Sequence, residues 1–178
     1  MPTYMSLRPY PSYKDLEESS ARLDATVVPL GIVKRMLTYV FAVPGQGIVA
    51  ASCYEAPDVS AMVEMAKAAG LPEGMVRTIL LDRQKGAGVH GPKSHRTYVV
   101  NRGKVCSQED LEKISERSLA AEDQLTDELK RMETWMYDDD DQVGMLSIYQ
   151  SKSIKAIRHH AELADLPIVD IFEASIAS

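Results

Sequence analysis

Lys34-Arg35-Met36-Leu37-Thr38-Tyr39 and Lys130-Arg131-Met132-Glu133-Thr134-Trp135 carry a basic pair, a methionine, a threonine and an aromatic in the same order. Outward from this stretch, Ser52-Cys53-Tyr54 returns as Ser147-Ile148-Tyr149 and Leu71-Pro72 returns as Leu166-Pro167. The spacing from tyrosine to leucine is unchanged (71 − 54 = 166 − 149 = 17). Three anchors in register define an internal repeat of roughly 80 to 90 residues. The 178-residue chain then divides into a first repeat at 1–82, a linker at 83–95 and a second repeat at 96–178.

Each repeat reads as the same series of elements. In the first, Tyr4 to Leu7 predicts a short strand, closed by Pro9 and Pro11, which lack the amide donor a ladder needs. Ser12, with Asp15 three residues on, caps a helix whose stripe is Leu16, Leu23, Val27 and Leu30, with Pro29 disrupting its end. Residues 34–43 and 48–56 form a hairpin around Pro44-Gly45-Gln46-Gly47. Asp58 caps a second helix stopped by Gly70 and Pro72, and Met75 to Asp82 is the last strand.

The glycines and proline of 83–95 read as the linker. The order then restarts with a strand from Arg96 to Arg102 and a helix capped by Ser107, whose stripe runs Leu111, Ile114, Ser118, Leu125, Leu129. A hairpin of Met132 to Tyr137 and Val143 to Gln150 turns at Asp138 to Asp141, followed by a helix from Ser153 to Ala164 and a strand from Ile168 to Ser175. This is β-α-β-β-α-β twice, an α+β chain of two tandem ferredoxin-like modules. Each module leaves one sheet face bare, so the two are expected to pack sheet to sheet as an intramolecular α+β barrel.

Hydrophobic residues make up 45 % and charged residues 26 %, the composition of a globular chain with a packed core. The net charge of −6 lies entirely in the second half, since 1–88 holds nine acids and nine bases and 89–178 holds seventeen and eleven. Without a Lys/Arg cluster, nucleic acid and anionic membranes are poor partners, whereas a cation is compatible. Cys53 and Cys106 do not occupy equivalent positions and suggest no disulfide. With no apolar run of spanning length and no signal-like N-terminus, the chain reads as cytoplasmic, a monomer or a homodimer.

The stretch Cys53-Tyr54-Glu55-Ala56-Pro57-Asp58, followed by Met65-Ala66 and Gly70-Leu71-Pro72, resembles the signature of a bacterial family of unknown-function ferredoxin-like domains that includes a nickel-binding protein. The second copy resembles it through Ser147-Ile148-Tyr149, His160-Ala161 and Leu166-Pro167. In that family a histidine commonly precedes the alanine of the second helix; here His160 matches, and Met65 stands in its place in the first copy. The resemblance implies binding of nickel or another divalent transition metal, with no organic cofactor indicated.

His160 is the sharpest single candidate, at the margin of the apolar face of its helix, while His159 points to solvent. Neighbouring histidines cannot chelate one ion from one helix face, so further ligands must come from elsewhere, with His90 and His95 of the linker available. Lys34-Arg35 and Lys130-Arg131 could bind an anionic ligand beside Tyr54 and Tyr149 in a pocket between helices and sheet, or simply begin strands at a hydrated rim. Cys53 reads as a buried apolar residue; Cys106, just ahead of a helix N-terminus, is the better candidate for a reactive thiol. The four aspartates read as a solvated turn.

Two functions follow. One is a transition-metal binding protein with His160 as ligand. The other is an enzyme or binding protein of the α+β barrel type acting on a small organic molecule, with His160 as acid or base and Tyr149 or Tyr54 orienting the substrate.

Overall fold

The computed structural model describes residues 1–30, 32–84 and 94–177. Its elements are β1 (Thr3–Tyr10), α1 (Tyr13–Leu30), β2 (Lys34–Val43), β3 (Gly47–Glu55), α2 (Val59–Ala68), β4 (Met75–Gln84), β5 (Arg96–Cys106), α3 (Leu111–Asp123), β6 (Leu129–Asp139), β7 (Gln142–Ser151), α4 (Ile154–Ala164) and β8 (Asp170–Ala177). The fold is mixed α+β and ferredoxin-like in its element order. Two compact units are formed, one of Met1–Ile79 with the chain end from Ser175, the other of Leu80–Ala174.

Within the first unit the sheet order is β4-β1-β3-β2, all antiparallel. Within the second it is β8-β5-β7-β6, again all antiparallel. Each sheet thus runs fourth, first, third, second along its own half of the chain.

The repeated six-residue stretch does the same local work in both units. The register slips between Arg35 and Leu37 against β3, and between Arg131 and Glu133 against β7, so Met36 and Met132 are the extra residues of two β-bulges. Before the slip, Arg35 pairs with Tyr54 and Arg131 with Tyr149; after it, Thr38 pairs with Ser52 and Thr134 with Ser147. The hydroxyls of these last pairs meet across the strands, at 2.8 Å for Thr38 and Ser52 and 3.4 Å for Thr134 and Ser147. The sequence anchors are therefore cross-strand partners of one another.

The second helices match at both ends. Asp58 Oδ1 accepts from Ala61 N at 2.8 Å to cap α2, and Ser153 Oγ accepts from Ala156 N at 3.2 Å to cap α4. At the C-termini, Leu71 N donates to Ala66 O and Leu166 N to Ala161 O, both at 2.9 Å. The preceding residues, Gly70 and Asp165, sit in the left-handed region at φ 60° and 50°. This is the helix stop that puts a leucine one residue past a left-handed position, and the following proline cannot resume the helix.

Several boundaries differ from expectation. β1 continues through Pro9 to Tyr10, since β4 pairs only as far as Leu7 and leaves that end of β1 with β3 as its neighbour. α1 runs to Leu30 despite Pro29. α3 opens behind a 3-10 turn at Gln108–Asp110 and ends at Asp123. Leu125 and Leu129 keep helical spacing through a turn in which Leu129 N donates to Leu125 O at 2.9 Å; both reach the core beside Tyr149 and Ile157 without being in the helix. β4 extends to Gln84, and 85–93, including His90, lies outside the described residues.

Candidate functional site

Directly paired residues of an antiparallel sheet project to the same face. In the first unit one face carries Tyr4, Ser6, Arg8 and Tyr10 from β1, Tyr54, Ser52 and Ala50 from β3, and Arg35, Thr38 and Val40 from β2. Between this face and α1 lies a cavity of about 250 Å³. Its sheet wall is Tyr10, Arg35, Thr38, Val40, Ala50, Ser52 and Tyr54; α1 contributes Leu16, Glu17, Ser19, Ser20 and Leu23; Leu71 and Ser175 to Ala177 close it. Tyr54, Ser19 and Leu23 are buried, whereas Tyr13 and Glu17 are exposed and form the rim.

The polar groups of this wall are held in place. Arg35 donates from Nη1 to Ser20 Oγ at 2.7 Å and from Nη2 to Asp24 Oδ1 at 2.8 Å. Arg22 Nη2 donates to Ser19 Oγ at 2.8 Å, while its Nε donates to Ala69 O at 3.0 Å. Burial raises the phenols of Tyr54 and Tyr10 above their ordinary value, Tyr10 also through the neighbouring Tyr54, so both remain protonated donors near neutral pH.

The equivalent space in the second unit is filled. Ala50 precedes Tyr54 by four residues as Met145 precedes Tyr149; Val40 follows Thr38 by two as Met136 follows Thr134; Ser19 follows Ser12 by seven as Ile114 follows Ser107. Val40 faces Ala50 in one register and Met136 faces Met145 in the other. Met136, Met145 and Ile114 form part of one buried cluster with Ala121, Val143, Ala164 and Leu166. At these three positions the first unit has the smaller side chain facing the cavity and the second the larger one in its core, while Leu23, matched by Ser118, runs the other way.

The second unit instead buries charge. Arg131 Nη2 lies 3.2 Å from Glu122 Oε2 with both side chains almost wholly enclosed, and Arg131 N donates to Glu122 Oε1 at 3.0 Å. Arg102, fully buried, donates to Pro167 O at 3.0 Å, to Tyr149 Oη at 3.1 Å and to His160 Nδ1 at 3.3 Å. The first unit has its counterpart in Arg8, which donates to Pro72 O. The buried arginines on the first strands thus hold the carbonyl of the proline in each Leu-Pro anchor.

His160 is the residue whose expected role changes most. It is fully buried, stacked at a tilt on Tyr149 with ring centres 5.3 Å apart. A guanidinium only donates, so Nδ1 must accept from Arg102; Nε2 carries the proton and donates to Ser118 O at 3.0 Å. Burial, then the positive charge of Arg102, lowers its pKa to about 4. Neither nitrogen faces an open space, and neither a metal ion nor a metal-bearing cofactor meets an available lone pair there. Tyr149 is equally enclosed, which removes it from contact with a substrate.

His95 Nδ1 lies 3.3 Å from Ser94 Oγ, and His159 Nδ1 lies 3.6 Å from Glu162 Oε2 on an exposed surface. Among the described residues no group of three or more histidines, cysteines and acids could hold a metal. Of the basic pairs, Arg35 alone lines the cavity; Lys34 is an exposed partner of Glu55 at 4.0 Å, Lys130 pairs in register with Gln150, and Arg131 is locked to Glu122. The Cys106 thiol is pushed up by burial and by Asp110, which disfavours the reactive thiolate expected of it. Asp138 and Asp139 end β6, leaving Asp140 and Asp141 as the turn, with Asp141 3.7 Å from Lys104 Nζ. The residues missed in sequence are Ser19, Ser20, Val40 and Ala50, whose signal lay in comparing the two units position by position.

No family model matches the sequence, and no curated protein matches it. In structure the chain is similar to a point variant of chlorite dismutase from Candidatus Nitrospira defluvii, with a TM-score of 0.57 at 9 % identity, over 97 % of this chain and 91 % of that one. The imidazole complex of chlorite dismutase from the same organism gives 0.56 at 10 %, over 99 % and 91 %. A protein from Fusobacterium nucleatum named "putative monooxygenase" gives 0.50 at 12 %, over 99 % and 92 %. At such identities these likenesses establish the fold. Nickel finds no support in them, and neither does the expectation that no organic cofactor is involved. No helix among the described residues is long and apolar enough to cross a membrane.

Proposed function

We propose that the first unit is a small-molecule binding module and that the second is its structural counterpart, the two being copies of one ferredoxin-like module, 1–82 and 96–178, that diverged in their interiors. The observation that carries this reading is the cavity itself. It persists where Ala50, Val40 and Ser19 stand in place of Met145, Met136 and Ile114, and its wall alternates hydroxyls with aliphatic side chains. Ligand sites have this composition, an apolar lining with a few placed polar groups. At about 250 Å³ the space suits a compound of one or two rings, since roughly 150 Å³ accommodates benzene. A small organic molecule bound to a protein of the same fold, the imidazole complex of chlorite dismutase, supports the assignment.

The test is a thermal-shift screen of small organic molecules against the wild type and Ala50→Met. Members of the screen are expected to raise the Tm of the wild type and leave that of the folded variant unchanged. Equal responses in the two proteins, or none in either, would overturn the proposal.

A further inference from the structure

Ser19 and Ser20 sit side by side on α1 at the wall of the first unit's cavity, and each accepts a hydrogen bond from a guanidinium, Arg22 Nη2 for Ser19 and Arg35 Nη1 for Ser20. A serine hydroxyl has one proton to donate and two lone pairs. With a guanidinium on a lone pair, its proton is directed elsewhere, and among the described residues neither hydroxyl has an acceptor for it. Ser19 is only 3 % exposed, so its hydroxyl meets solvent or ligand only where it borders the cavity. A buried donor left unmade is costly, and a ligand acceptor removes the cost.

The surrounding charge has both signs, with the positive in excess: Arg8, Arg22 and Arg35 against Asp24 and Glu17. Arg35 is paired with Asp24, but neither Arg22 nor the buried Arg8, which shares the sheet face of Ala50, is paired with a carboxylate among the described residues. Glu17 and Arg22 are both exposed, so water screens the two alike, and the buried Arg8 is the enclosed charge. The aliphatic lining is Leu23, one helical turn on from Ser19 in α1, with Val40 and Ala50 on the sheet wall beside the hydroxyls of Thr38, Ser52 and Tyr54. The cavity therefore offers two adjacent O–H donors, each held by a guanidinium, together with the aliphatic surfaces of Leu23, Val40 and Ala50.

We propose, resting on the small-molecule reading above, that the cavity takes a small monocarboxylate with a one-ring apolar body, its carboxylate oxygens on the Ser19 and Ser20 hydroxyls and its ring against Leu23, Val40 and Ala50. The serines select for the charged oxygen, and the guanidinium groups behind them polarise their O–H bonds. Asp24 competes for the charge of Arg35.

Benzoate and benzyl alcohol, of nearly equal size, are the probes, titrated by methyl NMR into the full chain, Ser19→Ala/Ser20→Ala, Ser20→Ala, Asp24→Asn and Ala50→Met. Benzoate is expected to bind at least about tenfold more tightly than benzyl alcohol, which corresponds to one charge-assisted hydrogen bond. The double serine variant is expected to erase that preference while still binding the alcohol, Ser20→Ala to reduce it, and Asp24→Asn to tighten benzoate alone. Equal binding of the two probes, unaffected by the serine substitutions but lost in Ala50→Met, would overturn the carboxylate and leave the small-molecule reading intact. Absence of binding by either probe to wild type, with ligands from the thermal-shift screen still lost in Ala50→Met, would also overturn the carboxylate alone. Indifference of every ligand to Ala50→Met would overturn both.

Discussion

The two units share their scaffold and differ in their interiors. In both, a bulge follows the Arg35 or Arg131 position, a Thr–Ser pair bridges the central strands, and a buried arginine holds the carbonyl of the Leu-Pro anchor. Yet the first unit places Arg35 at a cavity wall with a half-exposed aspartate, whereas the second encloses Arg131 with Glu122. The lesson is that a repeated motif preserves what the backbone needs, and the same side chain is free to serve solvent, ligand or core according to what packs above it.

The largest difference should appear on breaking the arginine pairs. Glu122→Gln leaves a buried guanidinium short of its counter-charge and is expected to cost about 3 to 5 kcal/mol, against less than about 1 kcal/mol for Asp24→Asn in the first unit. Urea unfolding of both variants reads the contrast directly. Similar losses at the two sites would mean that burial does not separate them.

Next in size is His160, which has Met65 as its equivalent eleven residues after the tyrosine. Its folded pKa of about 4 lies below the ordinary 6.5, so the unfolded chain binds the extra proton first as pH falls. Stability is fully present above pH 6.5 and is lost between pH 6.5 and about 4, by roughly 3 kcal/mol. His160→Met, which makes the second unit resemble the first, is expected to remove that slope while costing about 1 to 3 kcal/mol at pH 7 through the donors and acceptors it strands. An unchanged acid limb in the variant would place the proton uptake elsewhere.

The smallest effect tests sameness rather than difference. Thr38→Val and Thr134→Val each remove one cross-strand hydroxyl from a buried pair and should cost about 1 kcal/mol apiece, alike in the two units. Calorimetric Tm values for the two variants would diverge if the matched register did not reflect matched energetics.

Much of this organisation was legible because it is local. Thr38 and Ser52, or Leu71 behind Gly70, must be near each other in sequence to pair across a hairpin or close a helix, so their recurrence at fixed spacing is a direct imprint of the backbone. The site was less legible because its residues are unremarkable one at a time. Ala50 and Val40 satisfy the strand pattern as well as methionine would, and only the difference in volume at matched positions reveals a cavity. His160 misled for the opposite reason: its residue type suggested chemistry, while its partners Arg102, Ser118 and Tyr149 come from β5, α3 and β7, contacts that no spacing along α4 encodes. Leu125 and Leu129 show a third limit, since a turn carried the helical period beyond the helix.

Reciprocal substitution with calorimetry decides whether the first unit is open where the second is full. Ala50→Met is expected to leave stability unchanged or raise it, because the side chain enters existing space, whereas Met145→Ala should cost about 2 to 5 kcal/mol by opening a cavity in a packed cluster. A loss of about 1 to 3 kcal/mol in Ala50→Met, the signature of overpacking, would mean that the first unit has no space for the larger side chain.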